Sequence, residues 1–147
     1  MRTKTLLVAA LIAAAPATQA QEPENYIKYR QAVMTAIGGH NGAASQIVRG
    51  RVSPEGALAV HAGALEALTR DIPSLFPEGS DFGETGAKPE VWSDRAGFEK
   101  AADDARAATA AFAAAVAGGD AEKIGAAFKE VGEACKGCHE TYREKDD

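Results

Sequence analysis

Cysteine, methionine and aromatic residues are scarce in this chain. Its 147 residues include 2 Cys, 2 Met and 1 Trp, and aromatic residues make up 6%. Two cysteines are too few for the disulfide scaffolds of small exported domains. Basic residues are outnumbered by acidic ones, and the net charge of −5 argues against a nucleic-acid partner, which needs clusters of Lys and Arg. Few aromatic residues and abundant alanine favour helices over strands.

The longest apolar run near the start covers only residues 6–15. It follows Arg2 and Lys4 and precedes small residues at 18–20, the order found in a signal peptide. A transmembrane helix needs about 20 apolar residues, so this run is too short to span a membrane. We therefore predict a signal peptide over residues 1–20 and a mature, periplasmic domain over residues 21–147. Cleavage would lower the net charge to −7 and leave Met34 as the only methionine.

Apolar residues recur at intervals of three and four in four segments, which predicts four amphipathic helices. The segments cover residues 24–48, 53–73, 93–119 and 120–147. Ser53, Ser93 and Asp120 are the predicted N-caps of the last three helices. The predicted fold is all-α, an antiparallel four-helix bundle with a long loop between the second and third helices.

The predicted loop, residues 73–91, holds three prolines and three glycines and shows no regular periodicity. Loops longer than about 12–15 residues are uncommon in compact domains. We therefore expect apolar side chains in and next to the loop to fasten it to the bundle. The candidates are Leu75, Phe76, Phe82 and Trp92.

Both cysteines lie in the segment Cys135-Lys136-Gly137-Cys138-His139. Cys-x-x-Cys-His is the attachment signature of c-type haem. Two thiols one helical turn apart can join the two vinyl groups of one haem, and the next histidine can ligate the iron. The motif therefore predicts one covalently bound haem c.

Two other types of site use similar residues. In a haem-free thiol-disulfide protein, Cys135 would attack a disulfide and Cys138 would resolve it, but such motifs usually begin a helix in a βαβ unit. A zinc site would need a fourth ligand beyond Cys135, Cys138 and His139. The position of this motif near the end of an all-α chain favours haem attachment.

The four helices and the C-terminal haem motif resemble the class II cytochromes c, the cytochrome c prime family with its low-spin, methionine-ligated members. The matching segments are 29–31, 89–94 and 135–143. The resemblance implies that Cys135 and Cys138 carry the haem thioethers and that His139 is the proximal iron ligand.

By the same resemblance, Met34 faces the distal side of the haem. If its thioether ligates the iron, His/Met coordination raises the potential and the protein transfers single electrons to a redox partner protein. This is the favoured function. If Met34 only packs there, the five-coordinate iron can bind NO or CO. His40 and His61 are the other distal candidates, although His40 lies about 9 Å beyond Met34 along a continuous helix.

The resemblance also assigns residues to the haem edge. Arg30 is expected to pair with a haem propionate, for which a planar guanidinium is well suited. Gln31 and Thr85 are expected in the same region. Arg143, one turn after His139, is expected either near the proximal imidazole or as a cation favoured by the helix end.

No acid, base and nucleophile occur together in a catalytic pattern, so we predict no enzyme activity. Gly38, Gly39 and Gly42 weaken the first helix, which predicts a local distortion or a close helix contact there. Such small residues would also allow a homodimer, and the resembling family often dimerises. The acidic charge of the mature chain favours a partner with a basic docking patch.

Overall fold

A computed structural model describes residues 22–145, so the predicted signal peptide at residues 1–20 lies outside the described part. The helices are α1 (Pro23–Val48), α2 (Ala57–Leu68), α3 (Glu90–Ser93), α4 (Arg95–Gly118) and α5 (Ala121–Tyr142). A 3-10 turn covers Ile72–Leu75. The four long helices form the predicted antiparallel bundle. From residue 22 to residue 145, none of the helices is long and apolar enough to cross a membrane.

Helix α1 begins with Pro23 in its first turn and runs unbroken through its glycines. A Cβ atom built at Gly38, Gly39 or Gly42 would meet nothing within 4 Å. The expected distortion or close contact at these glycines is therefore wrong for the described chain. These glycines lie on an open part of the helix. They cost conformational entropy there, and a side chain at any of the three positions would meet no neighbour.

Helix α2 begins four residues later than the predicted cap at Ser53. Its N-cap is Gly56, whose φ of 68° is in the left-handed region that favours glycine. The helix also ends early, at Leu68, and the chain then turns before Pro73. Pro73 has no backbone N–H, and it lies in the first turn of the 3-10 turn that begins at Ile72, where this donor is not needed.

The long loop is more ordered than the sequence predicts. Leu75 and Phe76 are buried and Trp92 is half-buried, as predicted, but Phe82 is 50% exposed and does not fasten the loop. Ser93 ends the short helix α3, and the N-cap of α4 is Asp94, which accepts a hydrogen bond from the backbone of Gly97. The predicted cap was wrong by one residue, because the carboxylate of Asp94 takes the role assigned to Ser93.

Two apolar clusters form the core. The first, here called the loop-side cluster, contains Ile72, Leu75, Phe76, Val91, Phe98, Ala102 and Tyr142. The second, here called the helix-only cluster, contains Ile37, Ala44, Ala62, Leu65, Phe112 and Val131. Val33 and Met34 of α1 pack against both clusters. The two clusters therefore meet beside these two residues.

Candidate haem site

Cys135 and Cys138 lie on α5, whose start is fixed by the Asp120 side chain capping two backbone N–H groups. Both thiols are free and half-buried. Cys138 packs against the loop-side cluster and Cys135 against the helix-only cluster. The two thiols thus stand on either side of the place where the clusters meet, one helical turn apart.

The two thiols are poor nucleophiles in this setting. Burial raises the pKa of the Cys135 thiol. Burial, followed by the nearby Cys135, raises the pKa of Cys138 to about 11. Redox-active thiols have lowered pKa values. These shifts argue against the thiol-disulfide alternative and agree with cysteines whose role is attachment.

His139 follows Cys138 directly and is exposed overall. Its pKa lies below the usual value, first because part of the ring is shielded from water and second because of the charge of Arg143. A lowered pKa favours the neutral imidazole, which is the form that binds a metal. The structure thus supports a role for Arg143 near the imidazole.

Met34 is half-buried on α1, which contacts α5. It packs against the loop-side cluster, which Cys138 also contacts, and against the helix-only cluster, which Cys135 contacts. The structure therefore brings Met34 to the same apolar junction as the two cysteines.

Arg30, four residues before Met34, is a buried charged residue with 3% of its surface exposed. Its guanidinium donates hydrogen bonds to Ser80 Oγ at 2.8 Å, to Ser80 O at 2.7 Å and to Thr85 Oγ1 at 2.6 Å. The same group lies over the rings of Phe76 and Trp92. Arg30 therefore fastens the long loop to α1.

Burial lowers the pKa of the Arg30 guanidinium, and the charge of Asp81 opposes this shift. An arginine stays charged in proteins, so the loop is fastened by a buried cation. Such a cation is costly unless its N–H groups are bonded, which Ser80 and Thr85 provide.

The predicted haem-edge residues Gln31 and Thr85 also meet here. Gln31 Nε2 donates to the backbone oxygen of Glu84 at 2.8 Å, next to the Thr85 that binds Arg30. Three predicted residues are thus brought together by one loop. Ser80 was missed, because nothing local distinguishes this serine from the other loop residues.

The end of α5 is also fastened to the loop. Tyr142 donates its hydroxyl proton to Asp94 Oδ2 at 2.8 Å. Lys88 N donates to Tyr142 O at 3.0 Å, and Glu144 N donates to Gly86 O at 2.9 Å. The periodicity of the sequence predicts none of these contacts. They fix the position of the helix that carries the cysteines.

His40 and His61, the other distal candidates, contact each other. They lie on α1 and α2 with their Nδ1 atoms 3.0 Å apart. The structure therefore pairs the two alternative distal candidates with each other.

The donor set of this region fits a haem c. It combines two free thiols one turn apart, an imidazole with a lowered pKa, an apolar junction lined by Met34 and a buried guanidinium at one edge. Thiols, imidazole and apolar walls are what covalent haem binding requires.

Comparisons with known proteins agree with this arrangement. A family profile described as Cytochrome C' matches residues 25–143. Cytochrome c' of Rubrivivax gelatinosus is 41% identical over 129 residues, which cover 86% of this chain and 100% of that protein. Two similar solved structures are variants of cytochrome c prime from Alcaligenes xylosoxidans, one a nitric oxide complex and one bound to carbon monoxide. Both are 34% identical with TM-scores of 0.78, and they cover 84% of this chain and 97% and 98% of theirs.

Proposed function

Because this chain belongs to the cytochrome c' family, whose members carry covalently attached haem c, we propose that it binds NO or CO at a haem iron ligated by His139. Haem iron supplies one-electron chemistry and, where a coordination position is open, binding of diatomic gases. The observation that carries the proposal is the similarity to the NO-bound and CO-bound structures from Alcaligenes xylosoxidans. Cys135 and Cys138 would hold the haem as thioethers.

In this proposal Met34 packs over the distal side and does not ligate the iron. Both clusters that Met34 contacts are apolar. Methionine is flexible and commonly fills irregular spaces in a core. A packed thioether leaves the sixth coordination position to the gas.

Electron transfer with His/Met ligation, favoured from the sequence alone, is the second candidate function. Its support is the position of Met34 beside the junction that the two cysteines contact. The related NO and CO complexes favour gas binding instead. The two functions differ in one bond, between iron and the Met34 sulfur.

Arg30, Gln31 and Thr85 are proposed to lie at the haem edge. Two of the three guanidinium nitrogens of Arg30 already donate to Ser80 and Thr85. A propionate paired with Arg30 would therefore use the second N–H of Nη1 and the N–H of Nε, or displace one of these loop contacts. In either case Arg30 couples the loop to the haem edge.

An optical spectrum of the haem-loaded protein tests the proposal. We expect a high-spin spectrum in the ferric and ferrous states, with a shift when CO or NO is added. Met34→Ala should remain high-spin and bind CO at least as fast, because it removes only packing.

Val33→Ala is the matched control, since Val33 packs against the same two clusters but has no ligand atom. A low-spin spectrum that CO leaves unchanged, and that becomes high-spin in Met34→Ala but not in Val33→Ala, would contradict gas binding. That result would establish electron transfer with Met34 as the sixth ligand.

Export to the periplasm is part of the proposal, because covalent haem attachment takes place outside the cytoplasm.

A mature net charge of −7 would suit a redox partner with a basic docking patch. A homodimer is also proposed, and sedimentation showing a monomer at high concentration would contradict it. No enzymatic step is included.

A further inference from the structure

Two histidines outside the haem site face each other between α1 and α2. His40 Nδ1 and His61 Nδ1 are 3.0 Å apart. The ring centroids are 5.3 Å apart and the ring planes meet at 57°. Both side chains are half-buried. With neutral rings, one Nδ1 donates a hydrogen bond to the other.

The distance between the nitrogens also suits a metal ion. Imidazole nitrogens bind divalent transition metals at about 2.0–2.1 Å. At such bond lengths two imidazole nitrogens that share one ion lie about 3.0–3.4 Å apart. His40 Nδ1 and His61 Nδ1, 3.0 Å apart, are therefore close enough to bind the same metal ion.

We propose that His40 and His61 bind one divalent transition metal ion, Cu(II) in particular, and thereby join α1 to α2. Copper binds nitrogen ligands more tightly than the other divalent ions of the first transition row. Within residues 22–145 no group of three or more His, Cys, Asp or Glu could hold a metal, so water would fill the other positions.

Binding requires a small rearrangement. Both Nδ1 atoms must present a lone pair, so the proton shared between them moves to Nε2 of the ring that carried it. The rings now point towards each other, since the proton lies between the nitrogens. Each ring therefore turns about χ2, a torsion that is broad in histidine and costs little to change.

The test is titration of the haem-loaded protein with CuCl2, followed by calorimetry and by electron paramagnetic resonance. We expect one copper ion per chain and a spectrum with two imidazole nitrogens. His40→Gln and His61→Gln should each weaken binding on the order of 100-fold, since the second imidazole binds within the same molecule. Each variant should leave at most one imidazole nitrogen on the copper.

Two controls accompany the titration. The haem absorption spectrum should not change as copper is added, because His139 takes no part. Copper should raise the thermal midpoint of the wild type but not that of either variant, because it binds only the folded pair. The helical circular dichroism of both variants confirms that they fold.

Equal copper affinity in the wild type and in the folded variants would overturn the proposal. A wild-type spectrum with fewer than two imidazole nitrogens would do so as well. The pair would then be only a hydrogen bond between two helices.

Discussion

The two ends of the bundle are held together by different interactions. The loop-side cluster takes five of its buried members from outside the long helices or from a helix end, namely Ile72, Leu75, Phe76, Val91 and Tyr142. The helix-only cluster takes all its buried members from α1, α2, α4 and α5. One end is therefore built by loop and helix together, and the other by helix faces alone.

Hydrogen bonds follow the same division. At the loop side, four side chains donate to loop backbone oxygens that are distant in the sequence. Arg30 donates to Ser80 O, Gln31 to Glu84 O, Arg95 to Phe76 O and Pro73 O, and Trp92 to Pro77 O. The loop lacks the regular backbone hydrogen bonds of a helix. These side chains therefore donate to carbonyl oxygens that would accept from backbone N–H groups if the segment were helical.

The proposed haem site lies across this division, since Cys138 contacts one cluster and Cys135 the other. The expected proximal side lies on α5, whose N-terminus is capped by the side chain of Asp120. The expected haem edge lies instead on a loop that individual side chains hold in place. Substitutions in the two clusters should therefore have different consequences.

The largest expected effect comes from removing a buried ring at either end. Phe98 and Phe112 are 2% and 0% exposed. Replacing either by alanine should lower the free energy of unfolding by about 3–5 kcal/mol. Phe98 packs edge-on against Phe76 and Tyr142, whereas Phe112 has one ring neighbour, Phe128. Phe98→Ala should therefore cost roughly 1 kcal/mol more.

Urea unfolding of both haem-loaded variants, followed by circular dichroism, measures the difference. If Phe112→Ala is the less stable of the two variants, the ring contacts of Phe98 contribute no stability beyond the burial of its side chain.

The second prediction separates the loop from the helices. Arg30→Met removes three hydrogen bonds of a buried cation but keeps an apolar side chain in place. The free energy of unfolding should fall by about 2–3 kcal/mol, because Ser80 O loses a charged donor. Cleavage by protease should increase within residues 77–88 and not within the long helices.

Gln31→Ala is the matched control, since Gln31 is an exposed neighbour that also donates to the loop, at Glu84 O. It should change stability by less than about 0.5 kcal/mol. Equal protease resistance in Arg30→Met and in the wild type would show that the loop is held without its buried arginine.

A smaller effect is expected where the helices join without the loop. The hydroxyls of Thr69 and Thr109 are buried and 2.6 Å apart, linking the end of α2 to α4. Thr109→Val should cost about 1 kcal/mol. The double variant with Thr69→Val should cost less than the sum, because neither site then leaves an unpaired hydroxyl.

A double-mutant cycle by urea unfolding gives the coupling energy of the two hydroxyls. Additive costs would mean that each hydroxyl relies on its own helix carbonyl, at Leu65 O or Ala105 O.

The same division explains how much the sequence predicts. The positions of α1, α4 and α5 follow from local signals, namely apolar periodicity, the Asp120 cap and the stop at Gly119, whose φ is 73°. The Cys-x-x-Cys-His motif is also local, which is why the cysteines and His139 could be named as a group.

Other features depend on residues far apart in the chain. Ser80 meets Arg30 across 50 positions, and His40 meets His61 across 21. Helix α2 starts after Gly56, which has a left-handed backbone conformation. From the sequence, Ser53, three residues earlier, is the more typical N-cap residue. Periodicity carries no information on such pairings, because the bundle has to form before they exist.

The smallest effect at neutral pH, and the most specific, concerns the bond that fastens the end of α5. Burial, and then Asp94, raise the pKa of Tyr142 above its usual 10.0. The unfolded chain therefore loses the tyrosine proton at a lower pH than the folded protein. Above about pH 10 the unfolded state is favoured by this ionisation, and stability falls as the pH rises towards the folded-state pKa.

Tyr142→Phe lacks the ionisable hydroxyl, so its free energy of unfolding should fall less steeply above about pH 10 than that of the wild type. Tyr29→Phe, at a residue 59% exposed, should follow the wild-type curve. Parallel curves for the wild type and Tyr142→Phe would show that the helix carrying the cysteines is not held through this hydroxyl.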